Sequence, residues 1–197
     1  MYRLASLNVS FTQTKCIVIT TQRNYSLMSG MKVLSDAEQK EVLIQILSVF
    51  DSYCKKHNLR YFIGYGALLG AVRHKGFIPW DDDVDIVIPR PDFERFCKEF
   101  RSSEGYTLYA PEDGKSYLTF ARVCDNLRTN VITKSPWCNE PTGIWIDIFP
   151  LDGMPDNDED FSKIVKSVRI LMQKEMRARW TNLMDVSHLS GFKEHLL

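Results

Sequence analysis

The chain of 197 residues is 44% hydrophobic and carries 25 Lys plus Arg against 25 Asp plus Glu, so it can bury a core yet has no net pull toward nucleic acid or an anionic bilayer. Its five cysteines, Cys16, Cys54, Cys97, Cys124 and Cys138, are odd in number and form no Cys-x-x-Cys pair, which argues against a disulfide framework and a thiolate zinc site. No apolar run approaches the roughly 18 residues of a membrane-spanning helix, and "CIVI" at Cys16 to Ile19 is too short for a signal-peptide core, so a cytoplasmic protein with reduced thiols and no transmembrane segment is expected.

Residues 1 to about 30 scatter Thr, Gln, Asn and Ser between isolated aliphatics and read as a weakly structured N-terminal arm, with Met28 and Met31 as candidates for a later start. Ser35 and Glu38 then make a Ser-x-x-Glu capping box, and Val42, Leu43, Ile46, Val49, Phe50 and Tyr53 recur at helical spacing, predicting an amphipathic helix to about His57. Arg60 to Gly64 reads as a short strand, Gly66 to His74 as a helix, and Val84 to Ile88 as a strand with Val84, Ile86 and Ile88 on one face and Asp83 and Asp85 on the other. Pro89 and Pro91 end that strand, and a helix follows with Phe93, Phe96, Cys97 and Phe100 inward.

"YTLYA", "YLTFARVC" and "TNVITK" read as three further strands, and "GIWIDIFPLDG" at Gly143 to Gly153 as another, with Asp147 in its middle. A long helix is expected from about Asp158 to Thr181, its stripe formed by Phe161, Ile164, Val165, Val168, Leu171, Met172 and Met176. Residues 31–197 therefore read as one α+β (α/β) domain, a mixed β-sheet flanked by helices. Asp185 to Leu197 begin a further helix and stop, as expected of a fragment of a longer domain.

The chemistry concentrates in "IPWDDDVDIVI", Ile78 to Ile88. Asp83 and Asp85, two apart on a strand, point the same way with Cα atoms about 6 to 7 Å apart, close enough to share a divalent cation. Two unit charges 4 Å apart interact by about 1 kcal/mol in water and about 4 kcal/mol at an effective dielectric near 20, so a half-buried pair needs a cation or a proton. Hard oxygen donors favour Mg²⁺ or Mn²⁺ over zinc. An acidic run is usually a solvated loop, and Asp147 alone could face water on a half-exposed sheet. Taken together, an Asp-x-Asp at one strand's start and a third carboxylate inside another strand are the parts of a phosphoryl-transfer site. A calcium loop is excluded, because Asp81, Asp83 and Asp85 are followed by Ile86 where a Gly is required and by Asp92 at the closing Glu position.

"GYGALLGAVRHKGFIPWDDDVDIVI" at Gly64 to Ile88 and "GIWIDIFPLDG" at Gly143 to Gly153 closely resemble the LicD family, phosphocholine transferases that decorate bacterial surface glycans and to which fukutin-type proteins are related. The likeness spans roughly Ser35 to Thr181. It implies a nucleotidyltransferase-like fold, with Gly64, Gly66 and Ala67 as the Gly-rich segment, Asp83 and Asp85 as the metal pair and Asp147 as the third carboxylate, all three catalytic. Ala67 stands where the wider superfamily carries Ser or Thr, so a hydroxyl contact to phosphate is absent there and backbone N–H groups at the helix start would serve instead. The resemblance also implies transfer of a phospho-alcohol from a CDP-activated donor such as CDP-choline to a hydroxyl of a glycan or lipid-linked sugar, in lipopolysaccharide or teichoic acid synthesis, with release of CMP. An Asp147 that completes the metal shell or accepts the attacking proton is expected.

Arg73 and Lys75 are candidates for donor phosphate contacts, as is Arg122 from a neighbouring strand, with surface ion pairing to Asp81 and Asp82 as the plain alternative. Asp82 counts among the substrate-binding candidates, and His74 reads as structural. Trp80 would stack on the cytosine or the cationic choline head, or pack as wall, while Trp145 reads as core. A nucleotide-sugar-dependent glycosyltransferase is the alternative activity, since it too uses an Asp-x-Asp metal site, but it requires neither the Gly-rich segment nor the third aspartate. Association with the inner face of a membrane is expected only by analogy, for no basic amphipathic helix is evident.

Overall fold

The computed structural model describes residues 17–20, 32–101, 105–116, 118–132, 138 and 140–183. Their elements follow in the order β1 (Ile17–Thr20), β2 (Lys32–Val33), α1 (Asp36–His57), β3 (Phe62–Ile63), α2 (Tyr65–His74), β4 (Asp85–Pro89), α3 (Arg90–Glu99), β5 (Thr107–Tyr109), β6 (Ala121–Cys124), β7 (Thr129–Ile132), β8 (Trp145–Leu151) and α4 (Asp158–Leu183). The result is an α+β domain around a mixed five-stranded sheet of order β3-β4-β8-β6-β5, in which β4 and β8 run parallel and the other neighbours antiparallel.

Strand alternation decides what each face of this sheet does. Ile86 and Ile88 of β4, Ala121 and Val123 of β6, and Ile146 and Ile148 of β8 join one buried core with Leu43, Ile46 and Phe50 of α1 and Phe93 and Phe96 of α3. The helices pack on each other through edge-to-face rings, Phe50 against Phe96 with centroids 5.3 Å apart. Fully burying one such aliphatic or aromatic side chain contributes about 1.5 to 3 kcal/mol, so this layer fixes the register of β4 against β8. The opposite face carries Asp85, Arg122 and Asp147, and beyond them a smaller cluster of Tyr109, Leu118, Phe120, Cys124 and Cys138.

Local signals place the helices closely. Ser35 caps α1 as expected, its backbone N–H donating to Glu38 at 2.9 Å while the Glu38 N–H donates to its hydroxyl at 3.4 Å. Helix α1 ends on Asn58 in the left-handed conformation, φ 52°. Pro89 closes β4 rather than following it, and Pro91 sits in the first turn of α3, where its missing N–H leaves no intrahelical bond unmade.

Several expectations change. Residues 17–20, read as part of an irregular arm, pair along β7, Ile17 opposite Ile132, and β1 also pairs with β2 in a second, three-stranded sheet. The rest of the arm to residue 31, with Met28 and Met31, lies outside the described residues, as do Cys16, Trp137 and residues 184–197. The strand expected over 117–124 is only Ala121–Cys124. Helix α4 matches its expected span, but its stripe is not a core face: Ile164, Val168 and Leu171 are exposed, because no described element packs extensively over them. Among the described residues no helix is long and apolar enough to cross a membrane.

Candidate active site

Three matched positions cross the sheet in a row: Arg122 on β6 is register partner of Asp147 on β8, which is register partner of Asp85 on β4. Backbone hydrogen bonds hold this row. Asp147 N–H donates to the Val84 carbonyl at 2.9 Å, and Gly64 N–H donates to the Asp85 carbonyl at 2.9 Å, so the start of α2 is tied beside the acidic pair. The parallel pairing of β4 and β8 is what brings residues 62 positions apart to one place.

The carboxylates there repel. Asp85 is pushed up to about 8, chiefly by burial and then by Asp83 and Asp147, with Asp81 adding to it. Asp83 is pushed up to about 6 by burial and by Asp81, Asp147 and Asp82, and Asp81 is raised by burial and by Asp82. Arg122 works against these shifts without cancelling them. The cluster is thus short of positive charge, a condition that a proton or a bound cation relieves.

Asp147 has a cationic partner. Arg122 holds it with a two-pronged contact, Nε donating to Oδ1 and a terminal nitrogen donating to Oδ2 at 3.2 Å, with both side chains 11% exposed. The guanidinium lies over the Trp145 ring at 4.4 Å and near Phe120 at 5.4 Å. Arg122 was expected to reach donor phosphates; its Nε and one terminal nitrogen donate to Asp147. Trp145, expected in the core, is half-buried and forms the plate beneath the guanidinium.

The Gly-rich segment sits where the sequence places it. Gly64 caps α2, whose helix begins one residue earlier than expected, at Tyr65. A Cβ on Gly66 would stand 2.7 Å from Asp81 Oδ2, so the glycine admits the Asp81 carboxylate against the first turn of α2. Ala67 is half-buried in the apolar core margin. Arg73, His74, Lys75 and Asp82 are exposed, and among the described residues the three basic groups make no ion pair with Asp81 or Asp82. Trp80 is 79% exposed, which overturns its reading as wall.

Tyr65 and Lys40 escaped the sequence reading, and Asp81 entered it only through the calcium-loop test and as an ion-pair partner. Asp81 shares the parity of Asp83 and Asp85, and its charge raises both of them. Tyr65 adopts a left-handed φ of 44°, an unfavourable state for a non-glycine residue, and its hydroxyl is raised by burial and by Asp85. Lys40 of α1 donates to the carbonyls of Ile78 at 3.4 Å and Pro79 at 2.9 Å, tying the loop that leads into the acidic run. Nothing in local sequence announces such a tether.

Asp83 and Asp85 fit a hard divalent ion: their donors are oxygen, and their charge is uncompensated. The three-carboxylate set does not fit as it stands. Among the described residues no three His, Cys, Asp or Glu side chains are gathered to hold a metal, and the oxygens of Asp147 are engaged by Arg122.

A mixed sheet bearing an acidic Asp-x-Asp strand start next to a glycine-capped helix defines the class of nucleotidyltransferase-like domains. Residues 58–180 match the model described as LicD/FKTN/FKRP, nucleotidyltransferase domain, and the chain belongs to that family. It is 34% identical over 156 residues to the lipopolysaccharide cholinephosphotransferase LicD of Haemophilus influenzae, covering 76% of this chain and 57% of that relative. A shorter stretch of 46 residues, 23% of this chain and 9% of the relatives, is 46% identical to the mouse and human proteins named ribitol 5-phosphate transferase FKRP. The chain thus spans little more than half the length of its bacterial cholinephosphotransferase relative.

Proposed function

We propose that the protein is a divalent-cation-dependent transferase that moves a phospho-alcohol, of the phosphocholine or ribitol-phosphate type, from a CDP-activated donor to a hydroxyl of a cell-surface glycan precursor. In this reaction the acceptor oxygen bonds to the phosphorus bearing the alcohol, the bond from that phosphorus to the CMP oxygen breaks, CMP leaves, and the hydroxyl proton passes to a base. The observation that carries the reading is the uncompensated Asp83 and Asp85 pair at the start of β4, within a family whose relatives include a cholinephosphotransferase.

Asp83 and Asp85 would hold Mg²⁺ or Mn²⁺, which when bound supplies neutralisation of the donor diphosphate and of charge developing on the leaving group. The chain's own groups do the rest. Asp147 lends negative charge beside the pair, and the first turn of α2, opened by Gly64 and Gly66, offers backbone N–H groups to a phosphate. Arg73 and Lys75 are exposed near the end of α2 and add positive charge for an approaching donor. Trp80, projecting into solvent, is placed to stack on a cytosine or a choline head. The work belongs at the cytoplasmic side, where nucleotide-activated donors are made, with the acceptor presented at the membrane's inner face.

The test is CMP release from CDP-choline and CDP-ribitol, followed by chromatography in the presence of glycan acceptor, with a nucleotide sugar as control. CMP is expected from a CDP-alcohol only, in the presence of Mg²⁺, and the variant Asp85→Asn is expected to lose about a thousandfold or more of the rate. Turnover of the nucleotide sugar alone would make the protein a glycosyltransferase.

A further inference from the structure

We propose that Arg122 is a positioning residue: its guanidinium is the built-in counter-cation of Asp147, which keeps that carboxylate out of the metal's ligand set, so that the site takes one divalent ion, on Asp83 and Asp85. The inference rests on the metal-assisted reading above and departs from the expected three-carboxylate set.

Four features of the geometry support it. Arg122 and Asp147 are direct register partners on adjacent antiparallel strands, so their side chains leave the sheet at neighbouring points on one face. The contact uses both carboxylate oxygens, the bidentate form that an ammonium cannot reproduce. Both side chains are 11% exposed, which strengthens the pair and removes water as a competitor. The Trp145 plate at 4.4 Å and Phe120 at 5.4 Å limit where the guanidinium can go, and swinging out to a donor phosphate would forfeit the fork and the stacking together.

The consequence is an unequal division of the three aspartates. Asp147 has a bidentate cationic partner on β6, whereas among the described residues Asp83 and Asp85 make no ion pair. An arriving cation meets two carboxylates that gain from it and a third whose gain is already taken. Arg122 also sets where the negative charge of Asp147 lies relative to Asp85, and so acts on the reaction through Asp147 rather than by touching substrate.

Mn²⁺ titration of the metal-free, full-length protein, read by electron paramagnetic resonance, tests this independently of any donor. One ion per chain is expected for the natural protein. In Arg122→Gln, which frees Asp147, Mn²⁺ is expected to bind about tenfold or more tightly, whereas Arg122→Lys, which keeps the charge, is expected to stay within about threefold. Steady-state kinetics should show Arg122→Gln lowering kcat about thirtyfold or more with the donor KM changed less than about threefold. Two ions in the natural protein, or unchanged or weaker Mn²⁺ binding by a folded Arg122→Gln, would overturn the proposal. So would a raised donor KM with kcat kept, which would return Arg122 to phosphate binding. Circular dichroism checks folding; if Arg122→Gln does not fold, Arg122→Lys decides, a lowered kcat with unchanged KM and one ion supporting the assignment and natural kcat overturning it. If no CDP-alcohol is turned over, the proposed transferase activity fails while the Mn²⁺ readouts still decide the role of Arg122.

Discussion

Two aspartates in this fold, one buried and one half-buried, live under opposite conditions. Asp125, 1% exposed at the turn after β6, is fully served: Arg128 donates to it from its backbone N–H at 3.1 Å and its Nε at 2.8 Å. The same turn binds its surroundings, with Thr129 Oγ1 donating to the Asp125 carbonyl at 2.7 Å and accepting from Ile144 N–H at 2.8 Å. Gly143 completes it, since a Cβ there would stand 1.9 Å from the Asp125 carbonyl oxygen. Asp85, on the neighbouring part of the sheet, has no donor to its carboxylate among the described residues and three other acids around it. One aspartate is a joint of the structure; the other is a charge the fold leaves open. The more deeply buried of the two is the one with partners, so partnership and not burial decides which charge is left open.

Breaking the joint should cost the most. Asp125→Ala strands the Arg128 donors and is expected to lower stability by about 2 to 4 kcal/mol in denaturant titration, less than a fully buried pair would because Arg128 is half exposed. A loss under about 0.5 kcal/mol would remove the contrast. Asp85→Asn should act the other way, stabilising the metal-free protein at pH 8 by about 1 to 2 kcal/mol, because it removes repulsion that the folded state alone suffers.

The same sign governs pH. Asp83 and Asp85 have folded values near 6 and 8, above the ordinary carboxylate value of 3.8, so the native state binds more protons than the unfolded chain between about pH 4 and 8. Their contribution to stability is complete below pH 4 and is lost as pH rises through 6 and then 8. In the metal-free protein the midpoint of thermal unfolding should therefore fall over that range, and Asp85→Asn should flatten the fall. Asp51 and Asp152 oppose it only at the acid end: Lys55 and Tyr61 lower the first, Arg90 lowers the second, and their contribution disappears as pH drops below about 4.

How much of this was legible in the sequence follows from the range over which each signal acts. Alternation along one strand put Asp83 and Asp85 opposite Ile86 and Ile88, and the capping box placed the start of α1; both are short-range patterns written in consecutive residues. The partner of Asp147 was not legible, because the pairing of Arg122 with Asp147 depends on strand order, β4-β8-β6, and no local spacing encodes which strands become neighbours. Helix α4 shows the same limit from another side. Its periodicity correctly predicted a helix with an apolar stripe, but a stripe states only that one face is apolar, not that anything covers it. Trp80 misled for a related reason, as size and hydrophobicity suggested wall while the loop carries the ring into solvent.

The central claim is that Asp83 and Asp85 make donor binding depend on a divalent ion. Calorimetric titration of the full-length protein with CDP-choline and CDP-ribitol, each with Mg²⁺ and with a chelator, measures it directly. At least one of the two donors should bind with Mg²⁺, at least about tenfold more weakly without it, and Asp85→Asn should bind as weakly as the chelated natural protein. Equal affinity in all three conditions would contradict the account.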